Sequence, residues 1–173
     1  EACSANFDKV RRYVKRLCTR VMPRTEGIGS EELRLLSAVT PKGEMFYQGT
    51  AQALADKFIV FRDDYGAVSR LLLELIRAEA LTRGYHIITC PCAMHPEDKI
   101  DHILIPELKL AFVFPHKGTQ AERNIQMVVE HLCKKRGILC EHIGIKLSED
   151  EICVAIKQGF YKAHTYIKSD NCI

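Results

Sequence analysis

The chain has 173 residues, which is at the upper end of the common range for one domain and is enough to bury a core without disulfide or metal staples. Apolar residues make up 47% and charged residues 27%, the ordinary balance of a globular protein. The formal net charge is only +3, which is too low to indicate a general nucleic-acid binder, so we do not expect nucleic acid as a partner. This average does not exclude a local basic patch.

The first predicted element is an amphipathic helix that ends at Pro23. Its apolar side chains recur at steps of three and four residues: Phe7, Val10, Val14, Leu17 and Val21. Its other face is basic: Lys9, Arg11, Arg12, Lys15, Arg16 and Arg20. We interpret that face as solvated, with an anionic partner as the alternative.

Residues 23–31 have Pro, Gly and Ser without periodicity, which predicts a linker. We therefore divide the chain into residues 1–30, the helix and linker, and residues 31–173, an α/β domain.

Strands and helices alternate along the second region. Strands are predicted at 33–39, 58–61, 85–89, 103–105, 110–114 and 138–146. Helices are predicted at 50–57, at 68–80 with Gly84 as its C-cap, at 125–132, and at 148–167 with a capping box. This alternation predicts a mostly parallel sheet with helices on both faces, preceded by the N-terminal helix.

The segment 57–84 reads as a buried strand, a polar loop and a helix, which is the geometry that presents helix N–H groups to a phosphate. A working P-loop, G-x-x-x-x-G-K-[ST], adds glycines, a lysine and a hydroxyl that holds Mg²⁺. In "RDDYGAVSR", residues 62–70, the two glycine positions carry Asp63 and Val68, the lysine position Ser69 and the hydroxyl position Arg70. Two adjacent aspartates would each repel a polyphosphate by about 1 to 4 kcal/mol at close range.

This loop supplies the candidate binding residues, which form the remnant of a phosphate loop: Arg62, Asp63, Gly66, Ser69 and Arg70. No catalytic residue and no metal ligand can be assigned from spacing. We therefore expect no cofactor, with ATP and Mg²⁺ as the alternative.

Three segments resemble a family of uncharacterised bacterial proteins that consist of two tandem P-loop NTPase-like halves and are usually described as ATPases. They are "LRLLSAVTPKGEMFY" (33–47), the strand, loop and helix at 57–84, and "CAMHPEDKIDHILIPELKLAFV" (92–113), which is the most specific. The likeness covers about residues 30–116 and is closer to the second half of the family. It implies a P-loop-NTPase-like fold. It does not imply the activity, because the family's halves carry an intact glycine-lysine loop and an acidic residue where this chain has Phe114.

Other polar groups are weaker candidates. Cys90-Pro-Cys92-x-x-His95 lacks a second ligand pair with zinc spacing, so we predict structural cysteines, with a reactive Cys92 thiol as the alternative. Asp101 and Glu107 flank a predicted strand, and we interpret them as solvated or turn-stabilising carboxylates rather than an acid–base pair. His116 and Lys117 follow another strand and could line the same crevice.

Together these observations predict a degenerate, non-hydrolysing P-loop NTPase-like domain. It would act as a structural or regulatory half of a larger ATPase-like protein and pack against an intact P-loop half in the same or another chain. The alternative is an ATP-binding protein, a nucleoside-triphosphatase or a kinase-like enzyme, with a non-standard phosphate loop around Arg62–Arg70. No signal peptide and no membrane span are visible, so we expect a cytoplasmic, reduced protein and no membrane partner.

Overall fold

The computed structural model of the chain describes residues 2–63, 68–114 and 139–145. The helices predicted at 125–132 and 148–167, together with His116 and Lys117, lie outside these residues.

Three helices and eight strands follow one another in the described part. The helices are α1 (Ala2–Val21), α2 (Gln48–Leu54) and α3 (Ser69–Thr82). The strands are β1 (Ser30–Leu33), β2 (Ser37–Thr40), β3 (Gly43–Phe46), β4 (Lys57–Asp63), β5 (His86–Pro91), β6 (Ile100–Ile105), β7 (Leu110–Val113) and β8 (Leu139–Ile145). A 3₁₀ turn, Pro106–Leu108, joins β6 to β7.

Six of the strands form one sheet in the order β1-β5-β6-β7-β4-β8, and β2 and β3 form a separate hairpin. The pairs β1/β5, β7/β4 and β4/β8 are parallel, which confirms an α/β class. The prediction of parallel strands is wrong for β6, which is antiparallel to both of its neighbours. The cause is connection length, since the segments before and after β6 are too short for the crossover of a dozen or more residues that a parallel pair needs.

Both faces of this sheet are covered, and each has its own apolar core. On one face α1 and α3 pack against side chains that include Ile59 and Phe61 of β4. On the other face α2 and the β2–β3 hairpin pack against a set that includes Phe58 and Val60 of the same strand. Because alternate residues of a strand point to opposite faces, a strand covered on both sides is an unbroken apolar run, as β4 is.

The segment after α1 is held closely to the end of α3. The Thr25 amide donates to the Arg83 carbonyl at 2.9 Å, and a Cβ on Gly29 would lie 2.2 Å from the Leu81 carbonyl oxygen. Gly84, predicted as the C-cap of α3, is the residue directly after the C-cap Arg83, and its φ of +87° is the left-handed conformation that commonly follows a helix end. The predicted linker therefore contains the start of β1, and the strand predicted at 33–39 is divided between β1 and β2. The domain division at residue 30 stays a prediction.

Candidate functional site

The carboxyl end of β4 lies inside the sheet, with a parallel neighbour on each side. β7 pairs with β4 from Lys57 to Val60, whereas β8 continues along β4 as far as Asp63. The carboxyl ends of these strands therefore meet at one edge of the sheet, and the long helix α3 begins a few residues beyond β4. Such an edge is where open α/β sheets bind ligands.

The structure places four of the five predicted loop residues around this edge. Arg62 and Asp63 are the last two residues of β4, and Ser69 and Arg70 are the first two of α3. Gly66 lies outside the described residues, together with the rest of 64–67. The strand and the helix start that the sequence predicted are confirmed, while a phosphate-binding role for these residues stays a prediction.

The first turn of α3 starts from an apolar residue. Val68 is the N-cap, with right-handed φ −103° and ψ −18°, and its side chain is only 4% exposed within the core. Valine has no side-chain oxygen, so it cannot accept from the N–H groups of the first turn as Ser or Asp would. These N–H groups and the helix dipole give this end of α3 a partial positive charge. Arg70, half-buried, adds a cation in the same turn.

Aromatic rings fill the face of the sheet just below this edge. Phe114, directly after β7, is 4% exposed and stacks on Phe61 of β4, with ring centroids 5.0 Å apart and planes at 16°. The Phe112 ring of β7 also stacks with Phe61, with ring centroids 6.2 Å apart and planes at 12°. Phe114 follows β7 at the carboxyl edge, where an acidic side chain could have held a cation. An apolar ring there contributes packing and cannot ligate a cation through a carboxylate.

Asp101 brings a buried carboxyl group to the same edge, which corrects the interpretation of this residue as solvated. Only 3% of Asp101 is exposed, its backbone carbonyl accepts from the Phe114 amide at 3.1 Å, and the Lys99 ammonium lies 3.7 Å from its carboxylate. Asp101 sits where the β5–β6 register shifts, and such bulges re-aim side chains near functional edges. Burial could not be read from the sequence because Asp101 lies between the charged segment 97–99 and the apolar run 103–105.

Glu107 lies at the opposite end of β6 from Asp101, so the two carboxylates cannot act on one substrate group. Glu107 is exposed and accepts from the His86 amide at 3.3 Å, which agrees with a turn-stabilising role. The sheet thus separates the two acids that the sequence placed on either side of one strand.

The cysteine pair at the end of β5 is buried. Cys90 and Cys92 are 1% and 3% exposed and are thiols rather than halves of a disulfide, whereas His95 is exposed. Burial raises the pKa of the Cys90 thiol to about 12; the Asp101 charge adds to the rise and the Arg34 charge opposes it. At neutral pH this thiol is therefore protonated and a poor nucleophile. Across the described ranges, no three His, Cys, Asp or Glu side chains lie together as a metal site would require.

One polar network was missed because its first residue lay in the predicted linker. Glu31 of β1 accepts from Arg77 of α3 at 2.6 Å, in a bidentate pair, and from the Thr89 hydroxyl of β5 at 2.6 Å. The hydrogen bond from Arg77 lowers the pKa of the Glu31 carboxyl, burial opposes this, and Thr89 adds to the lowering. The network ties an edge strand to α3. The sequence "SEEL" has a single apolar residue, so no hydrophobic pattern identifies this strand.

Comparison with family models, with characterised proteins and with solved structures finds no match for this chain. Within the described residues, none of the helices combines the length and the apolar character that a membrane span requires.

Proposed function

We propose that this chain is a non-hydrolysing P-loop NTPase-like domain that serves as a structural or regulatory half of a larger ATPase-like protein. In this proposal it packs against an intact P-loop half in the same or another chain. The observation that carries the proposal is the stack of Phe114 on Phe61 at the carboxyl edge, where a nucleotide site would need a carboxylate for Mg²⁺.

Two further observations support the loss of catalysis. The lysine and hydroxyl positions of a P-loop are Ser69 and Arg70, so the first turn of α3 lacks the ammonium and the Mg²⁺ ligand in their usual places. The second glycine position is Val68, whose buried side chain belongs to the core. Phosphoryl transfer depends almost entirely on such positioning and charge, so the loss of these groups removes the basis for hydrolysis.

The second candidate function, binding of ATP without hydrolysis, is favoured by the start of α3. Its first N–H groups, the helix dipole and the half-buried Arg70 together attract anions. In this alternative Arg62, Ser69 and Arg70 contact the phosphates and the aspartates at 63 and 64 oppose them.

A thermal titration separates the two candidates. Saturation at 100 times the Kd stabilises a protein by about 2.7 kcal/mol. For a chain of this size, that free energy corresponds to a rise in Tm of roughly 5 to 11 °C. We expect a flat Tm with ATP, ADP and GTP, each at millimolar concentration with Mg²⁺. A saturable rise that disappears in Arg70→Gln would reject the proposal and establish nucleotide binding at α3.

The partner is tested separately. The reading frame that contains this chain should encode an intact glycine-lysine loop, or a neighbouring chain should carry one and co-purify with this domain when the two are expressed together. ATP hydrolysis by that half is then measured with and without this domain. An unchanged rate and no stable complex would contradict a structural or regulatory role.

A further inference from the structure

The positive charge of this protein is concentrated on α1. The helix carries six of the chain's 25 basic residues and one of its 22 acidic residues, Asp8, for a net charge of +5. The rest of the chain, with 19 basic and 21 acidic residues, is therefore net negative by two. An asymmetry of this kind is the electrostatic pattern of a surface for a polyanion, and the average of +3 conceals it.

All six cations lie at the surface of a helix that is fixed to the domain. Lys9, Arg11, Arg12, Lys15, Arg16 and Arg20 are exposed. The apolar side of the same helix is used for packing, since Val14, Leu17 and Cys18 are at most 3% exposed in the core shared with α3. The basic groups are consequently presented by a rigid element, and no ordering of a flexible segment has to accompany binding.

The basic groups extend around about half of the helix circumference. At 3.6 residues per turn, Arg12 lies near the centre of the basic arc, Arg11 and Lys15 on one flank, and Arg16 with Lys9 and Arg20 on the other. Between Lys9 and Arg20 the helix rises by about 16 Å. A convex surface with cations on both flanks is complementary to a groove that has phosphates along both walls. The major groove of a B-form duplex, about 12 Å wide, accommodates an α-helix of about 10 to 12 Å.

We propose that the basic face of α1 binds the phosphate backbone of double-stranded DNA, without reading its sequence. Four of the six cations are arginines, whose planar fork contacts phosphate oxygens in pairs. An acidic membrane fits less well, because a helix that binds in the membrane interface inserts its apolar side, and here that side is packed on α3. The proposal is independent of the proposed function, since it uses residues 9–20 of α1 and none of residues 62–70.

Fluorescence anisotropy with a labelled DNA duplex of about 24 base pairs, at 50 and 200 mM salt, tests the proposal. With four phosphate contacts, duplex affinity should fall by about 100-fold between these two salt concentrations. Arg12→Gln with Arg16→Gln should lower the salt slope by about 1.8 and weaken binding at 50 mM salt. Arginine and glutamine have similar helix propensities and both positions are exposed, so α1 should keep its fold, which circular dichroism verifies.

The matched control removes two exposed lysines elsewhere. Lys42→Gln with Lys109→Gln, in turns outside α1, changes the net charge by the same amount and should leave the salt dependence of duplex binding as it is in the unaltered chain.

No duplex binding at 50 mM salt, or an equal loss of affinity in the control variant, would overturn the proposal. Tighter binding to a single strand of the same length would reject the groove geometry. Binding only to vesicles rich in phosphatidylserine would assign the face to a membrane instead. An RNA duplex of the same sequence should bind more weakly, because its deep, narrow A-form major groove does not admit an α-helix; tighter binding to RNA would reject the groove geometry.

Discussion

Replacement of Phe114 tests whether the edge of the sheet is a packed aromatic layer rather than a vacant metal site. The Phe114 ring is buried and stacks on Phe61 at 5.0 Å. Burial of such a side chain is worth about 1.5 to 3 kcal/mol, and a stacked pair adds about 0.5 to 1.5 kcal/mol. With the cavity that remains, Phe114→Ala should lower the free energy of unfolding by about 3 to 5 kcal/mol. Phe114→Leu, which keeps an apolar side chain, should cost about 1 to 2 kcal/mol.

Urea unfolding followed by circular dichroism measures these differences. With a slope of about 1 to 3 kcal/mol per molar urea, Phe114→Ala should move the midpoint down by more than about 1 M. Tyr47→Ala is the matched control: this aromatic residue is 42% exposed and its removal should cost less than about 1 kcal/mol. Phe114→Asp should be the least stable variant, because it buries a charge, and Mg²⁺ should not restore it. An alanine variant that loses less than about 1 kcal/mol, or an aspartate variant that Mg²⁺ stabilises, would refute the reasoning.

Three further predictions concern other parts of the fold. The pKa of Glu31 is lowered, so its pair with Arg77 stabilises the protein above the ordinary value of 4.5 and loses this effect as the pH falls through the folded pKa. Glu31→Gln should therefore cost about 1 to 3 kcal/mol at pH 7, and this cost should shrink progressively as the pH falls below 4.5, by urea midpoints; a cost that stays constant down to acid unfolding would contradict the pairing. Gly84→Ala should lower Tm, because φ is +87° and the new Cβ would lie 2.3 Å from the Gly27 oxygen; an unchanged Tm would show that the turn can relax. Cys90, buried and with a pKa of about 12, should resist a thiol reagent at pH 8 until urea unfolds the chain, as peptide mass spectrometry would show; rapid native labelling would disprove its burial.

Local pattern was sufficient for the elements around the candidate site. The apolar run of β4 and the periodic stripe of α3 identified both elements, because each depends on residues near in sequence. Gly84 indicated where α3 ends, since the left-handed residue that follows a helix C-cap favours glycine. The substituted P-loop positions could also be read directly from residues 62–70, since their side-chain chemistry does not depend on the rest of the fold.

What the sequence by itself determined was therefore the class of the fold, most of its elements and the absence of a standard phosphate-binding motif. Only the tertiary structure decided that β6 runs against its neighbours, that Asp101 is buried, and that Phe114 stacks on Phe61. It also decided that the apolar stripe of α1 is used against α3, which leaves the basic face outward. The physical reason is that these properties depend on contacts between residues distant in the chain, while periodicity and capping report only on neighbours within a few residues.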